Sequence, residues 1–438
     1  MAVHAPAGRG LSPLIPLGYF VCATAAFVIG ALGTAWLAPE LTGHYYHPHV
    51  VALTHTITLG WITTAIMGAT YQLVPVVLQR PIWSARLARW QLAIVAVAVI
   101  GMIAHFYLGT WPGLVAGAAL LATGVGLYLL NLAATLRGRG RAGSGLPIAT
   151  PWTFTARLMT MGVAGLALTT LFGLALAANH LVPFLPGEFF PTLHAHVHLA
   201  LLGWVTPMML GVSARVYPMF LLAPEPGRWT SRLQIWGVAV GVPALVIGLL
   251  GVPGLARLGT LAMAAAALAH ATWVLAMVRA RKRPALDWGL RFTLTATAFL
   301  APAIALGLAI AADALAGPHA ALAYAVVVLG GWISLTIVGM MLRIVPFLVW
   351  YHVYGPRAGR EPVPTLAALS APRLEGASYA LLTGGVGLLA VALLVGDATG
   401  IRLAGTVLSL GALAFAAVLV GILRHLAHAA ARRTGAAL

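Results

Sequence analysis

Carboxylates are scarce in this chain, with eight Asp and Glu against 25 Lys and Arg, and charged residues of all kinds make up only 8% of 438 positions. Soluble domains carry about a quarter charged residues, so a water-exposed globule is excluded. None of the acids (Glu40, Glu188, Glu225, Asp287, Asp313, Glu361, Glu375, Asp397) stands midway along an apolar run. Proton relays across membranes usually need such a carboxylate, and proton pumping is therefore not expected. Cysteine is nearly missing: Cys22 is alone, which rules out disulfides and cysteine metal motifs within one chain. The first apolar run is long enough to span and lacks a convincing cleavage site, so it reads as a span and not as a signal peptide.

What is abundant is apolar length. Hydrophobic residues reach 61%, mean hydropathy is +0.96, and runs of roughly 20 apolar residues recur throughout. They lack the period-two alternation of a barrel, and lipid satisfies no backbone groups, so they must be helices. The expected architecture is an all-α polytopic membrane protein: one membrane domain over 1–438 with about twelve spans. These are placed near 14–37, 50–78, 91–110, 113–136, 157–180, 192–222, 232–250, 255–278, 290–313, 320–350, 377–396 and 401–424.

The net charge of +17 does not point to nucleic acid, because the basic residues form short clusters between spans. With the N-terminus inside, Arg80, Arg86, Arg89, Arg137, Arg139, Arg141, Arg157, Arg228 and Arg232 fall on the cytoplasmic side. Arg279, Arg281, Lys282, Arg283, Arg357, Arg360, Arg373, Arg432 and Arg433 join them, leaving only Arg257 and Arg402 in outer loops. The positive-inside rule thus predicts a bacterial inner-membrane protein with both termini cytoplasmic.

Three Gly-Trp pairs, Gly60-Trp61, Gly203-Trp204 and Gly331-Trp332, share one spacing. Each Trp is followed by Gly after seven residues (Gly68, Gly211, Gly339) and Pro after fourteen (Pro75, Pro218, Pro346). Close packing and kinking explain the residue types, but not three identical spacings four spans apart. Internal repeats are expected at approximately 14–136, 157–278 and 290–424, arranged as three pseudo-threefold four-helix units.

Fifteen histidines are many for so apolar a chain. In this orientation ten of them (His44, His47, His49, His55, His105, His180, His194, His196, His198, His319) gather at outer loops or outer helix ends. Neutral imidazole ligates iron, copper and zinc. His194 and His198 share a helix face while His196 points away, so one helix serves two pockets or chelates one ion. His55 and His198 each stand six residues before their Trp, at equivalent depth on two helices, as axial ligation of haem requires. The candidate cofactor ligands are His55, His198 and His194; the candidate metal ligands are His194, His196, His198 and His49. For His44, His47, His105, His180 and His319 interfacial hydrogen bonding is the plainer reading.

The segments HTITLGWITTAIMGATYQLVPVV from His55 and HAHVHLALLGWVTPMMLGVSARVYPMF from His194 resemble subunit I of the haem-copper oxidases, nearest the cbb3 oxidases and nitric oxide reductases. That resemblance covers nearly the whole twelve-helix plan. It implies a low-spin haem ligand at His55, a copper ligand among His194, His196 and His198, b-type haem with copper as cofactors, and a cytochrome c or quinol as electron donor. The family's paired histidines on helix 7 are missing here, as are its two on helix 10, where His319 precedes the helix and His352 follows it. A second resemblance is to NnrS-like haem- and copper-containing membrane proteins of the nitric oxide response, without their Trp-His-His-Glu motif. The functions implied are redox chemistry on oxygen or nitric oxide, non-catalytic handling or sensing of haem or copper, or transport on the same scaffold.

Overall fold

The computed structural model describes residues 12–78, 81–137, 153–225 and 227–434; His4, Arg80, Arg139, Arg141 and the side chains of Arg432 and Arg433 lie outside them. Among the described residues there are no strands and twelve helices long and apolar enough to cross a membrane. They are α1 (Leu14–Trp36), α2 (Pro48–Pro75), α3 (Ala85–Leu108), α4 (Trp111–Thr135), α5 (Phe154–Asn179), α6 (Phe189–Leu221), α7 (Arg228–Leu249), α8 (Gly254–Ala280), α9 (Trp288–Ala311), α10 (Pro318–Val353), α11 (Pro372–Val395) and α12 (Ala398–Ala429). The chain is a multi-pass, all-α membrane protein.

Several helices outrun their apolar stretches. α3 starts six residues before the expected span because Ser84 caps it, its hydroxyl accepting the Leu87 N–H at 3.1 Å. Asp287 caps α9 in the same way through the Leu290 N–H at 3.0 Å. Asp287 also takes Arg343 of α10 as an ion-pair partner. The Arg343 guanidinium lies 3.9 Å from the Phe220 ring centre, held inside the bundle and not reaching for headgroups. Arg215, its counterpart on α6, is exposed, as a snorkelling side chain should be.

Around the bundle α3 packs on α4, α7 on α8 and α11 on α12, with α4 against α5, α8 against α9 and α12 against α1. The Gly-Trp helices α2, α6 and α10 fill the interior and are the most buried spans. The recurring glycines explain how they fit. A Cβ on Gly68 would strike Tyr19 of α1, one on Gly211 would press Leu158 and the Thr155 carbonyl of α5, and one on Gly339 would strike the Gly289 carbonyl and Phe292 of α9. In each case the missing side chain admits the helix that comes just before it in the chain.

Each Gly-Trp pair sits in a π-helical stretch: Thr56–Thr63, Leu199–Val205 and Val327–Ser334. The wide turn is closed by a hydroxyl reaching back five residues. Thr64 donates to the Leu59 carbonyl (2.9 Å), Thr206 to Leu201 (2.9 Å) and Ser334 to Leu329 (2.7 Å). Here the three helices meet. The Trp61 indole N–H donates to Ser334 Oγ at 2.9 Å, and that of Trp204 to Thr63 Oγ1 at 3.3 Å. Both acceptors stand two residues after their own helix's Trp, so α2 reaches α10 and α6 reaches α2.

Past the indoles, toward the arginine-bearing end, the same three helices enclose a cavity of about 60 Å³. Its lining comes from positions 4, 5, 8, 9 and 12 after each Trp: Ala65 to Leu73, Met208 to Val216 and Thr336 to Ile344, joined by Tyr217 and Phe20.

Candidate functional site

The opposite end of the bundle carries the histidine layer. It is organised by the sequence HYYHPHVV, where the His47 side chain caps α2 and Pro48 opens it, and by the first turns of α6 after Glu188. Hydrogen bonding decides which imidazoles are ready to bind a metal, since only a ring nitrogen with a free lone pair is a ligand.

His55 directs Nδ1 to the Val51 carbonyl at 2.8 Å, and His198 directs Nδ1 to the His194 carbonyl at 2.8 Å. A carbonyl only accepts, so Nδ1 holds the proton in both rings and the Nε2 lone pair is left for a ligand. The two residues occupy the same place before their Trp and make the same bond to the fourth residue back. His49 is similar, with Nδ1 at 3.3 Å from Glu40 Oε1 and its ring stacked on Tyr107 at 4.0 Å.

Other rings are committed elsewhere. His44 and His47 accept backbone N–H groups at Nδ1, from Tyr46 (3.1 Å) and His49 (3.3 Å), which consumes the lone pair and leaves the proton on Nε2. His319 donates Nε2–H to the Thr42 carbonyl at 2.8 Å. His194 has Nε2 at 2.8 Å from the Tyr45 hydroxyl and lies beside Phe190. His180, just beyond α5, has Nε2 at 3.0 Å from the Tyr46 hydroxyl and stacks on Trp111 at 4.0 Å. Burial lowers the His180 imidazole below its ordinary range and pushes the Tyr46 phenol up to about 12. Both are therefore neutral at pH 7, with Tyr46 donating to the ring. Burial likewise raises the Tyr45 phenol, which stays protonated beside His194.

His196 is the exception. Its Nδ1 is buried with no partner, a costly state for a polar atom. Residue 173 is glycine, where a Cβ would press its ring at 3.0 Å, and the ring stacks on Phe172 at 6.4 Å. Among the other candidates, His55 is near enough for charge on one ring to be felt by the other. His55 itself stacks on Phe106 of α3 at 4.6 Å. The pair thus faces the space among α2, α3, α5 and α6, while the imidazole nearest His198 in this sense is that of His194. Among the described residues no three His, Cys, Asp or Glu side chains stand together as a ready metal site. Imidazole donors without thiolates suit haem iron or copper, and the free Nε2 atoms with the orphaned Nδ1 of His196 fit such a group. Sequence reasoning passed over Tyr45, Tyr46, Phe106 and Gly173; the aromatic pair inside HYYH was the one signal that pointed to any of them.

No family model matches the chain. It is 24% identical over 205 residues to quinol oxidase subunit 1 of Sulfolobus acidocaldarius, an alignment covering 44% of this chain and 38% of that protein. The match spans well under half of the relative, and it makes this chain a multi-pass membrane protein distantly related to quinol oxidase subunit 1.

Proposed function

We propose that this protein binds haem, copper or both in its membrane domain, on a scaffold akin to haem-copper oxidase subunit I, and serves redox or gas-related chemistry. The observation that carries this reading is the shared state of His55 and His198, each with Nδ1–H tied to the carbonyl four residues back and Nε2 left open. Such a second contact fixes the tautomer and orients the ring. His196, with its unpartnered nitrogen, supplies a third donor on the opposite face of α6, and His49, whose Nδ1 is held by Glu40, completes the set; His194 is spent on the Tyr45 hydroxyl. Bound there, haem iron or copper supplies one-electron chemistry.

The chain's own residues do the remainder. The carbonyls of Val51 and His194 hold two rings in ligand form, Phe106 and Phe172 keep apolar surface against His55 and His196, and the Tyr45 and Tyr46 hydroxyls bond to His194 and His180. The quartets 14–136, 157–278 and 290–424 are repeats in this reading, supported by the equal register of the cavity lining and of the glycine contacts. The histidine end faces outward, both termini are cytoplasmic, and a quinol or cytochrome c is the electron donor.

A second reading, non-catalytic handling or sensing of the metal, is favoured by α7, which has no histidine, and by α10, whose His319 is spent on Thr42. Metal analysis with a reduced-minus-oxidised spectrum tests the proposal. Haem absorbance or stoichiometric copper is expected, altered by His55→Ala and by His198→Ala. Metal-free protein, or a spectrum and copper content unchanged in both variants, refutes it. Reoxidation by oxygen or nitric oxide separates redox turnover from handling.

A further inference from the structure

A second cavity, of about 130 Å³, lies among α1, α2, α10, α11 and α12. It begins at Leu41, Val50, Leu322 and Leu393 at the histidine end and stops at Phe27 and Ser334, level with the indoles. Leu322 and Leu335 are both on its wall, so at 1.5 Å per residue it is roughly 20 Å long.

No imidazole lines it. α2 contributes Val50, Leu53, Thr54 and Ile57, while His55 is turned to Phe106 on α3. The protons of the hydroxyls on the wall are already engaged: Thr34 on the Gly30 carbonyl (2.9 Å), Thr54 on Val50 (2.8 Å), and Ser334 on Leu329 (2.7 Å) while also accepting from Trp61. Water needs two to four polar partners to stay in a cavity; these three hydroxyls have no proton left to give and could only accept, from a wall that is otherwise apolar. On the lipid side the wall is built by α1 packed on α2 and α12, and by α11 packed on α10 and α12. At the mouth, buried Leu41 packs with Val50, Leu322 and Leu393. The turn that carries Leu41 is pinned on both sides, by His49 at Glu40 (3.3 Å) and by His319 at the Thr42 carbonyl (2.8 Å).

We propose that this chamber binds one neutral apolar molecule of benzene size or smaller, the class to which dissolved gases belong. Dry cavities of about 150 Å³ lined by Leu, Ile and Phe take benzene or xenon, and this one matches them in size and lining. A haem finds no axial ligand on its walls. The inference stands apart from the metal reading above.

Xenon is the probe, applied to crystals of the full chain under pressure and followed in solution by ¹²⁹Xe NMR. One saturable xenon site is expected between Phe27 and Leu393. Filling the chamber with Ala31→Leu and Ala325→Leu together should abolish it. Ala325→Leu alone, the milder change, should weaken xenon binding at least threefold, and haem or copper content should be unchanged in both. Ordered water in the chamber, no xenon there, or equal xenon affinity in wild type and the Ala325→Leu variant overturns the proposal. Loss of haem absorbance on filling also overturns it, because the chamber would then be a haem pocket.

Discussion

The bond from the Trp61 indole N–H to Ser334 Oγ ties the first Gly-Trp helix to the third, and its strength is measurable by a double-mutant cycle. Both side chains are buried, at 0% and 3% exposure, and the 2.9 Å separation is near ideal for N–H···O. Interhelical hydrogen bonds in membrane proteins average about 0.6 kcal/mol and reach about 1.7. The Ser334 hydroxyl keeps its own proton on the Leu329 carbonyl whether or not the indole is present. Trp61→Phe therefore strands no donor, and the coupling reports the bond itself. We expect about 1 kcal/mol between Trp61→Phe and Ser334→Ala, in the upper half of that range. The longer 3.3 Å contact of Trp204 with Thr63 should give about half as much. Trp61→Phe alone costs more, about 2–3 kcal/mol, because the smaller ring leaves a void beside Phe27, now stacked on the indole at 4.5 Å; the cycle cancels this term. Denaturant unfolding in detergent micelles, followed by helical circular dichroism, provides the free energies. A coupling below about 0.2 kcal/mol, within the error of such cycles, would show that the indoles only fill space where the helices cross.

Three further outcomes are expected. His180 has a folded pKa below its unfolded value, so the stability it contributes is complete above about pH 6.5 and declines as the pH falls through the folded value; thermal unfolding between pH 7.5 and 5 should show this decline, and His180→Phe should flatten it. Gly339→Leu should destabilise by about 1–3 kcal/mol or more, since its side chain meets the Gly289 carbonyl, and a melting temperature equal to wild type would refute the glycine seam. His319→Leu removes the bond to the Thr42 carbonyl and should cost about 1 kcal/mol, while speeding xenon exchange in the Leu41-stoppered chamber; unchanged exchange would show that the pin does not hold the turn.

Much of this fold was legible in advance because the membrane restricts the choices. Uninterrupted apolar length fixed helices, and the span ends fell within about six residues of expectation, the largest shift being at the start of α3, which Ser84 caps. The G-W-x6-G-x6-P spacing marked the three central helices. It carried no sign that each Gly-Trp pair lies in a wide turn, since the five-back hydroxyls Thr64, Thr206 and Ser334 look like ordinary helical residues in a sequence. At the histidine layer, residue type was informative and partnership was not. His55 and His198 were matched by register and do share one hydrogen-bonding state, but the ring that senses His55 belongs to His196. Which neighbour an imidazole meets depends on rotation about α6, and no spacing rule determines that rotation once the helix is locally unwound.

That unwinding has a geometric consequence. A π-helical turn closes its bond one residue later than a regular one, and each residue of an α-helix advances about 100° around the axis. Within α2 and α6 the stretches Thr56–Thr63 and Leu199–Val205 therefore act as phase shifters. They uncouple the compass bearing of His55, His196 and His198 from that of the cavity-lining faces further along the same rods. Deleting a single residue from either stretch would leave hydropathy and length almost untouched, yet it would swing the imidazoles a quarter-turn away from the neighbours described here.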